Sequence, residues 1–315
     1  MKVKTKFLHS NSASAALEIC SNIIKMCSKK KAAHIGGALS IADFLSVYYS
    51  FYYDEQCTSL FYSKGHACTA IYSTLAYFNF FDSKELETYS DNGSIFTSHV
   101  SHLVPGVEIS TGSLGHALSV ASGVALAKKK SQPNHNSCIV LSDGELNEGS
   151  NWEAILFIAH HKLPCTIVID YNKLQSFGRV DEVLQLEPLK QKFEAFNLDC
   201  LQINGHDHEA IFNALNSSSS SPRVIILDTQ KAHPLKYALN KLESHYYPPT
   251  AEQLIDGLNN GKVGALGADV FSEEPYNGEL INFENVVLTP HLATLTKESR
   301  LEMEVQATKN LLNTL

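Results

Sequence analysis

The sequence lacks long apolar runs, paired cysteine motifs and any excess of positive charge. No stretch reaches the roughly 18 consecutive apolar residues of a membrane-spanning helix, so we expect no membrane association. The seven cysteines form no Cys-x-x-Cys pair and are odd in number, which argues against a disulfide framework or a cysteine-based zinc site. A net charge of −8 argues against a nucleic-acid partner. Since the N-terminus shows no secretion signal, we expect a cytoplasmic protein.

The composition is that of a folded globular chain. Of its 315 residues, 44% are hydrophobic and 18% are charged. At about 150 residues per domain, this length suggests two domains. The Pro248-Pro249 pair interrupts the pattern of predicted elements, so we place the boundary there. The predicted domains are residues 1–250 and 251–315.

Short apolar runs, mostly β-branched, alternate with helical segments through the first domain. The predicted strands cover residues 137–141, 165–170, 198–203 and 223–228. The predicted helices cover residues 15–26, 41–53, 65–81, 120–130, 152–160, 189–196 and 208–215. This alternation predicts an α/β fold, a parallel β-sheet flanked by helices on both faces. In the second domain, strands at 265–271 and 286–288 and a helix at 298–312 predict a small α/β appendage.

Polar segments follow two of the predicted strands. They are SDGELNEG (142–149) and DYNKLQSFG (170–178). Asp143 and Asn172 are 29 positions apart, about one strand-helix-strand unit, so we expect them to meet at neighbouring strand ends. A carboxylate, an amide oxygen and a backbone carbonyl suit Mg²⁺ or Ca²⁺. Gly144 allows a phosphate to approach the backbone.

These segments and several others, all in the same order, resemble the N-terminal subunit of a split, two-subunit transketolase. The resemblance spans residues 15–254. The further segments are AAHIGGALS (32–40), SKGHA (63–67), PGVEISTGSLGHALSVA (105–121) and NGHD (204–207). The resemblance implies a thiamine-diphosphate-binding fold with thiamine diphosphate and Mg²⁺ (or Ca²⁺) as cofactors. It also implies transfer of a two-carbon ketol unit from a ketose to an aldose.

The resemblance gives each matching residue an expected role in binding. Asp143, Asn172 and the backbone carbonyl of Leu174 correspond to metal ligands. The residues that correspond to cofactor-contacting positions of the family are His66, Gly112, Ser113, Leu114, Gly144 and Asn172. His206 is a further candidate for contact with the cofactor. The alternative is that it makes no such contact.

The expected catalytic residues are three histidines and two glutamates. His34, His99 and His245 correspond to histidines beside the reactive thiazolium. Glu148 and Glu153 correspond to acidic residues at a dimer interface that couple two active sites. A turn position for His34 and a first-turn helix position for Glu153 are alternatives that need no cofactor. His233 stands where the family has a basic residue, and it contacts either substrate or nothing.

Transketolases use a further domain, whose glutamate and pyrimidine pocket activate the cofactor. No such domain follows Pro249 in this sequence. The resemblance therefore implies a partner subunit that carries the pyrimidine-binding and C-terminal domains, in a dimer or an α2β2 heterotetramer. The implied substrates are sugars, phosphorylated or not.

The segment 252–315 resembles the C-terminal part of a D-2-hydroxyacid dehydrogenase. The resemblance rests on GLNNGKVGALGADVFSEEP (257–275) and NVVLTPHLATLTKES (285–299). In that family Glu274 would orient His291, the acid/base of hydride transfer, and Asp269 would lie near the nicotinamide. No G-x-G-x-x-G follows a strand, so an NAD-dependent 2-hydroxyacid oxidoreductase is the weaker alternative. An inactive or truncated fusion remnant is the other alternative.

Overall fold

The computed structural model describes residues 2–217 and 222–246, and in the rest of the chain residues 255, 259, 266–268, 277–284 and 286–288. The chain divides into two compact units, Met1–Pro249 and Thr250–Leu315. Among the helices that the structure describes, none combines the length and the apolar character that crossing a bilayer requires.

Five parallel strands form the sheet of the first unit, in the order β1-β2-β3-β5-β4. They are β1 (Thr58–Tyr62), β2 (Asn136–Ser142), β3 (Cys165–Tyr171), β4 (Asp199–Asn204) and β5 (Arg223–Asp228). Every neighbouring pair is parallel, so the five carboxyl ends lie at one edge of the sheet. This confirms the predicted parallel sheet.

The burial of each strand explains whether the sequence pattern predicts it. β3 is buried along its whole length and β2 along all but its first residue, which matches their nearly continuous apolar runs. β4 lies at the sheet edge and is half-buried, which matches its mixed polarity. The sequence pattern does not predict β1, although all five of its residues are buried. Thr58 and Ser59 open that strand and leave an apolar run too short to stand out.

Helices cover both faces of the sheet, as predicted. One face carries α1 (Lys2–Lys29), α2 (Ile35–Ser40), α3 (Ala42–Phe51) and α4 (Cys68–Tyr77). The other face carries α5 (Ala117–Ser131), α6 (Gly149–His161), α7 (Val180–Val183) and α8 (Leu189–Ala195). The last helix of the unit, α9 (His208–Asn216), packs on the first face. Alternate residues of each strand serve the two cores, as Val168 and Ile167 of β3 show.

The observed helices differ from the prediction mainly at their ends. α1 extends well beyond the predicted 15–26. The predicted helix over 65–81 begins as a 3-10 turn, Gly65–Ala67, before α4 starts. The sequence does not predict α2 and α7, because six and four residues are too few to show a helical period.

In the second unit, β6 (Leu266–Ala268) and β7 (Val286–Leu288) form a two-stranded parallel sheet. A 3-10 turn covers Glu279–Asn282. β6 falls within the predicted strand at 265–271, and β7 coincides with the predicted strand at 286–288. The predicted helix at 298–312 lies outside the described residues.

Candidate active site

Four histidines converge beyond the carboxyl end of the sheet. His34 precedes α2, His66 lies in the 3-10 turn after β1, and His245 ends the turn Leu242–His245. The centroid of the His34 ring lies 4.7 Å from that of His245, 5.5 Å from that of His66 and 6.1 Å from that of His99. The structure therefore brings His66 together with the three histidines that the sequence singles out as catalytic.

Unusual backbone conformations make this convergence possible. His34 adopts a left-handed conformation with φ of 71°, and its N–H donates to the carbonyl of His245 at 2.8 Å. Gly112 has φ of 151°, and a Cβ there would stand 2.9 Å from Cδ2 of His99. A Cβ on Gly65 would stand 2.6 Å from the nitrogen of Gly112. Only glycine fits at these two positions, so the loops pack directly against each other.

Burial keeps three of these histidines, His34, His66 and His245, uncharged at neutral pH. Burial and the nearby ammonium of Lys231 lower the pKa of His34 to about 4 and the pKa of His245 to about 3. Burial and the ammonium of Lys64 hold the pKa of His66 well below its usual value. Neutral imidazoles both donate and accept hydrogen bonds, which suits them to the hydroxyl groups of a sugar.

Asp143 and the loop of Asn172 meet at the ends of β2 and β3. The Asp143 carboxylate is 2% exposed and accepts the N–H groups of Lys173 and Gly144, each at 2.7 Å. The side-chain oxygen of Asn172 accepts the N–H of Leu174 at 3.1 Å. Because Lys173 follows Asn172 directly, the carboxylate touches the loop that carries the other two predicted metal ligands.

The electrostatics of Asp143 favour a cation beside it. Burial and the neighbouring Asp170 carboxylate together raise the pKa of this carboxyl to about 6, against the opposing effect of Lys64. A divalent ion would supply the positive charge that a buried carboxylate needs in order to stay ionised.

The ammonium of Lys231 links the loop of the predicted metal ligands to the histidines. It donates to the carbonyl of Leu174 at 2.7 Å and lies 3.2 Å from Nδ1 of His245. Burial and Lys64 lower the pKa of Lys231 to about 8. The site thus holds a buried positive charge that suits an anionic cofactor.

Buried polar atoms show that the site fits a metal-bound diphosphate. Among the described residues, Nδ1 of His34 and Nε2 of Gln175 are buried without a hydrogen-bond partner. Gln175 lies against Gly144, where an added Cβ would stand 3.4 Å from its Cγ. The oxygens at the ends of β2 and β3 suit a hard cation, and the nearby N–H and ammonium groups suit an anion.

A buried ion pair holds the histidine loops in place. The ammonium of Lys64 contacts the carboxylate of Asp170, and neither side chain is more than 1% exposed. Lys64 also donates to the carbonyl of Gly37 at 2.6 Å, and the hydroxyl of Ser40 donates to Asp170 at 2.6 Å. The end of β3 therefore fixes both α2 and the loop that precedes His66.

The buried carboxylate of Glu145 fixes the loop 112–115. It accepts the N–H of Gly115 at 3.0 Å, the N–H of Ser142 at 3.4 Å and the hydroxyl of Ser63. Burial raises the pKa of Glu145. Through these three bonds the loop with the predicted cofactor contacts is tied to the ends of β1 and β2.

The structure does not bring every predicted residue into the cluster. Glu148 and Glu153 are exposed: Glu148 is the N-cap of α6, and Glu153 lies within the helix beyond its first turn. Ser113 is exposed and Leu114 is half-buried. Their expected roles at the subunit interface and at the cofactor stay predictions.

His206 belongs to a separate set of contacts. Its Nδ1 lies 2.8 Å from a carboxylate oxygen of Asp43, and its Nε2 accepts the N–H of Gln230 at 2.9 Å. The ring lines a cavity of about 720 Å³ together with Asn172 and Leu174. A contact with the cofactor stays a prediction, since both ring nitrogens are engaged within the protein.

The sequence reasoning missed five buried polar residues of the site. They are Lys64, Glu145, Asp170, Gln175 and Lys231. Four of them stand inside the quoted motifs, beside residues that were singled out. One feature of the sequence could have identified these four residues. Each has a charged or amide side chain in a segment expected to lie at a strand end, and such a side chain needs a partner when it is buried.

Comparison with known families agrees with this geometry. Residues 17–256 match the family described as transketolase, thiamine diphosphate binding domain. Residues 250–293 match the family described as D-isomer specific 2-hydroxyacid dehydrogenase, NAD binding domain. Asp269, Glu274 and His291, which carry the predicted chemistry of that second segment, lie outside the described residues.

Similar proteins carry the same family name. The chain is 34% identical over 251 residues to one subunit of the apulose-4-phosphate transketolase of Phocaeicola vulgatus, covering 75% of this chain and 88% of that protein. It is 33% identical over 232 residues to one subunit of the 6-deoxy-6-sulfo-D-fructose transketolase of a Clostridium species, covering 70% and 84% respectively. The crystal structure of transketolase from Campylobacter jejuni superposes with a TM-score of 0.73 at 29% identity. That match covers 80% of this chain but only 42% of the Campylobacter chain.

Proposed function

Because the chain belongs to the transketolase family, whose thiamine diphosphate binding domain matches its residues 17–256, we propose that it is one subunit of a two-subunit transketolase. The reaction is transfer of a two-carbon ketol unit from a ketose to an aldose. One observation carries the proposal: the Asp143 carboxylate accepts the Lys173 N–H at 2.7 Å, which joins the ends of two neighbouring strands beside the four histidines.

Cofactor binding is assigned to residues at those strand ends. The side chains of Asp143 and Asn172 and the carbonyl of Leu174 would hold Mg²⁺ (or Ca²⁺). The Gly144 backbone and His66 would contact the diphosphate, and Gly112, Ser113 and Leu114 would line the cofactor. Thiamine diphosphate, when bound, supplies an electron sink for the carbanion of ketol transfer.

The remaining histidines are assigned to the substrate. His34, His99 and His245 would bind and orient sugar oxygens through hydrogen bonds. The lowered pKa values of His34 and His245 make them weak bases, so they hold a hydroxyl group rather than remove its proton. The unpartnered Nδ1 of His34 supports this role, because it leaves one ring atom available to a ligand.

A partner protein is part of the proposal. Two relatives are named as single subunits of an apulose-4-phosphate transketolase, which supports a second polypeptide for this chain too. We assign to the partner the pyrimidine-binding and C-terminal domains, in a cytoplasmic dimer or α2β2 heterotetramer. Glu148 and Glu153 are exposed on α6, as residues at such an interface must be before assembly.

The substrates are proposed to be sugars. The relatives are named for apulose-4-phosphate and for 6-deoxy-6-sulfo-D-fructose. These names support sugar substrates for this chain, and we assign it a ketose donor and an aldose acceptor, phosphorylated or not.

Calorimetric titration and a coupled activity assay test the proposal. We expect the full chain to bind thiamine diphosphate only when Mg²⁺ is present, and Asp143→Asn to remove that binding. Ketol transfer should appear only after the chain is mixed with a candidate partner from a neighbouring gene. Full transfer by the chain alone would contradict the partner assignment, and a silent titration with and without the partner would support an inactive remnant.

Neither alternative is favoured by the site. An inactive remnant does not require four histidines and a buried carboxylate to share one strand edge. An NAD-dependent oxidoreductase would depend on Glu274 and His291, and absence of NADH binding in a fluorescence titration would exclude it.

A further inference from the structure

A second cluster of potential metal ligands lies near the active site but outside it. Asp43 of α3, His206 after β4 and His233 after β5 each offer one ligand atom, and these atoms lie within 4.8 Å of one another. The His206 and His233 rings stack with 3.9 Å between centroids. Three separate elements of the fold therefore deliver one carboxylate and two imidazoles to one place.

From this arrangement we propose that Asp43, His206 and His233 bind a divalent transition metal ion such as Zn²⁺. Two imidazoles and a carboxylate are a ligand set typical of Zn²⁺, Co²⁺ and related ions. The oxygen ligands at Asp143 suit Mg²⁺ instead, so the two sites select different metals.

The carboxylate of Asp43 is already held in position by contacts outside the ligand set. Its Oδ1 lies 3.0 Å from Nε2 of His208, and Nδ1 of His208 lies 2.8 Å from the hydroxyl of Ser12. Such outer contacts, which hold a ligand in position, accompany protein metal sites.

The ion has room to enter. His206 and His233 both line the cavity of about 720 Å³ at the ends of β3, β4 and β5. The side chains of Asp43 and His206 are 16% and 11% exposed, so the ligands are partly desolvated yet reachable.

Metal binding shifts one proton within His206. The N–H of Gln230 can only donate, so Nε2 of His206 is the acceptor and the ring proton lies on Nδ1, facing Asp43. An ion bound at Nδ1 moves that proton to Nε2, the ring stays neutral, and the bond from Gln230 is lost. No proton is released.

Co²⁺ absorption spectroscopy tests the site on the full, tag-free chain in excess Mg²⁺ and without thiamine diphosphate. We expect one equivalent of Co²⁺ to give visible bands that Zn²⁺ abolishes by competition. His233→Asn should remove the stoichiometric bands, and His208→Asn, which loosens only the carboxylate, should weaken binding by about 10-fold. The matched control is His102→Asn, since His102 is exposed and bonds to Ser110 elsewhere on the surface.

The controls separate this proposal from the proposed function. Asp143→Asn should leave the Co²⁺ bands unchanged, and their loss would place the ion at the oxygen site and overturn the inference. Unchanged bands in His233→Asn, or no stoichiometric Co²⁺ binding by the unaltered chain, would overturn it as well. Circular dichroism of each variant confirms that the fold is retained.

Discussion

The ammonium of Lys231 donates a hydrogen bond of 2.7 Å to the carbonyl of Leu174, which we propose as a metal ligand. The same ammonium lies 3.2 Å from Nδ1 of His245 in the histidine cluster. One buried cation therefore orients a metal-ligand carbonyl and neighbours the proposed substrate contacts. Neither contact is evident from the sequence, in which Lys231 lies 57 positions beyond Leu174.

Lys231→Met should weaken binding of Mg²⁺–thiamine diphosphate by at least about 10-fold, because a hydrogen bond from a charged group contributes about 1.5–3 kcal/mol. The substitution keeps the apolar stem and removes the charge. Calorimetric titration measures the change in affinity. Lys236→Met is the control, since that side chain lies on the same segment but is exposed. Equal affinities for both variants would contradict the role of Lys231.

Asp143→Asn should stabilise the chain at pH 7 in the absence of metal while abolishing metal-dependent cofactor binding. The folded state raises the pKa of Asp143 from 3.8 to about 6, so the folded state holds the proton more tightly than the unfolded state. In the unaltered chain, loss of this proton therefore lowers the free energy of unfolding as pH rises from about 4 to about 6. The free energy of unfolding remains lower at higher pH. Two pKa units correspond to about 3 kcal/mol, and the one N–H bond that asparagine cannot accept offsets about 1 kcal/mol.

Urea unfolding without Mg²⁺ at pH 7 and at pH 4.5 checks this expectation. The variant should exceed the unaltered chain by roughly 1–2 kcal/mol at pH 7, and the difference should shrink at pH 4.5, where Asp143 is largely protonated. A variant that is less stable at both pH values would show that the carboxylate is not destabilised by its burial.

Much of the fold and part of the site can be predicted from the sequence, for physical reasons. The β2 and β3 runs are apolar because both of their faces are covered, so periodicity and composition identify them. Asp143 and Asn172 follow from the rule that parallel strands end at one edge. β1 escapes prediction because its first two residues are polar and are buried only by tertiary packing.

The unpredicted part of the site depends on contacts between distant segments. Glu145 and Ser63 are 82 positions apart, and Lys64 and Asp170 are 106 apart. Local patterns do not specify such pairs, because a lysine or glutamate in a motif is equally compatible with an exposed position. The contact of His206 with Asp43, which places His206 in a separate cluster, has the same origin, since 163 positions separate the two residues.

Glu145→Ala should destabilise the chain by roughly 3 kcal/mol or more, because three donors, including the N–H of Gly115, lose a buried acceptor. Glu145→Gln should cost no more than about 1 kcal/mol, since one oxygen remains and a buried charge is removed. Urea unfolding measures both values. Glu194→Ala provides the control, because its carboxylate is half-exposed and pairs with the exposed Lys190 one turn away. A loss in Glu145→Ala as small as in the control would contradict the anchoring role.

Two glycine-to-alanine substitutions should shift stability in opposite directions. Gly115 has φ of 83°, and a Cβ there would stand 2.6 Å from the Ser150 hydroxyl and 2.7 Å from Cβ of Glu148. Gly115→Ala should therefore cost roughly 2 kcal/mol or more, from the left-handed backbone and from the displacement of the loop 112–115. Gly123 lies on an exposed face of α5, and an added Cβ there would meet no atom of the described residues outside its own stretch of helix within 4 Å. Gly123→Ala should stabilise the chain by about 0.5–1 kcal/mol, because alanine favours the helix.

Thermal or urea unfolding of both variants, compared with the unaltered chain, measures the two changes in stability. Because Gly115 holds the loop that we assign to the cofactor, Gly115→Ala should also weaken thiamine diphosphate binding, while Gly123→Ala should bind it normally. If both variants bind the cofactor equally well, the loop 112–115 does not contribute to the cofactor site. If Gly115→Ala is as stable as the unaltered chain, the close packing of this loop against α6 does not exist in solution.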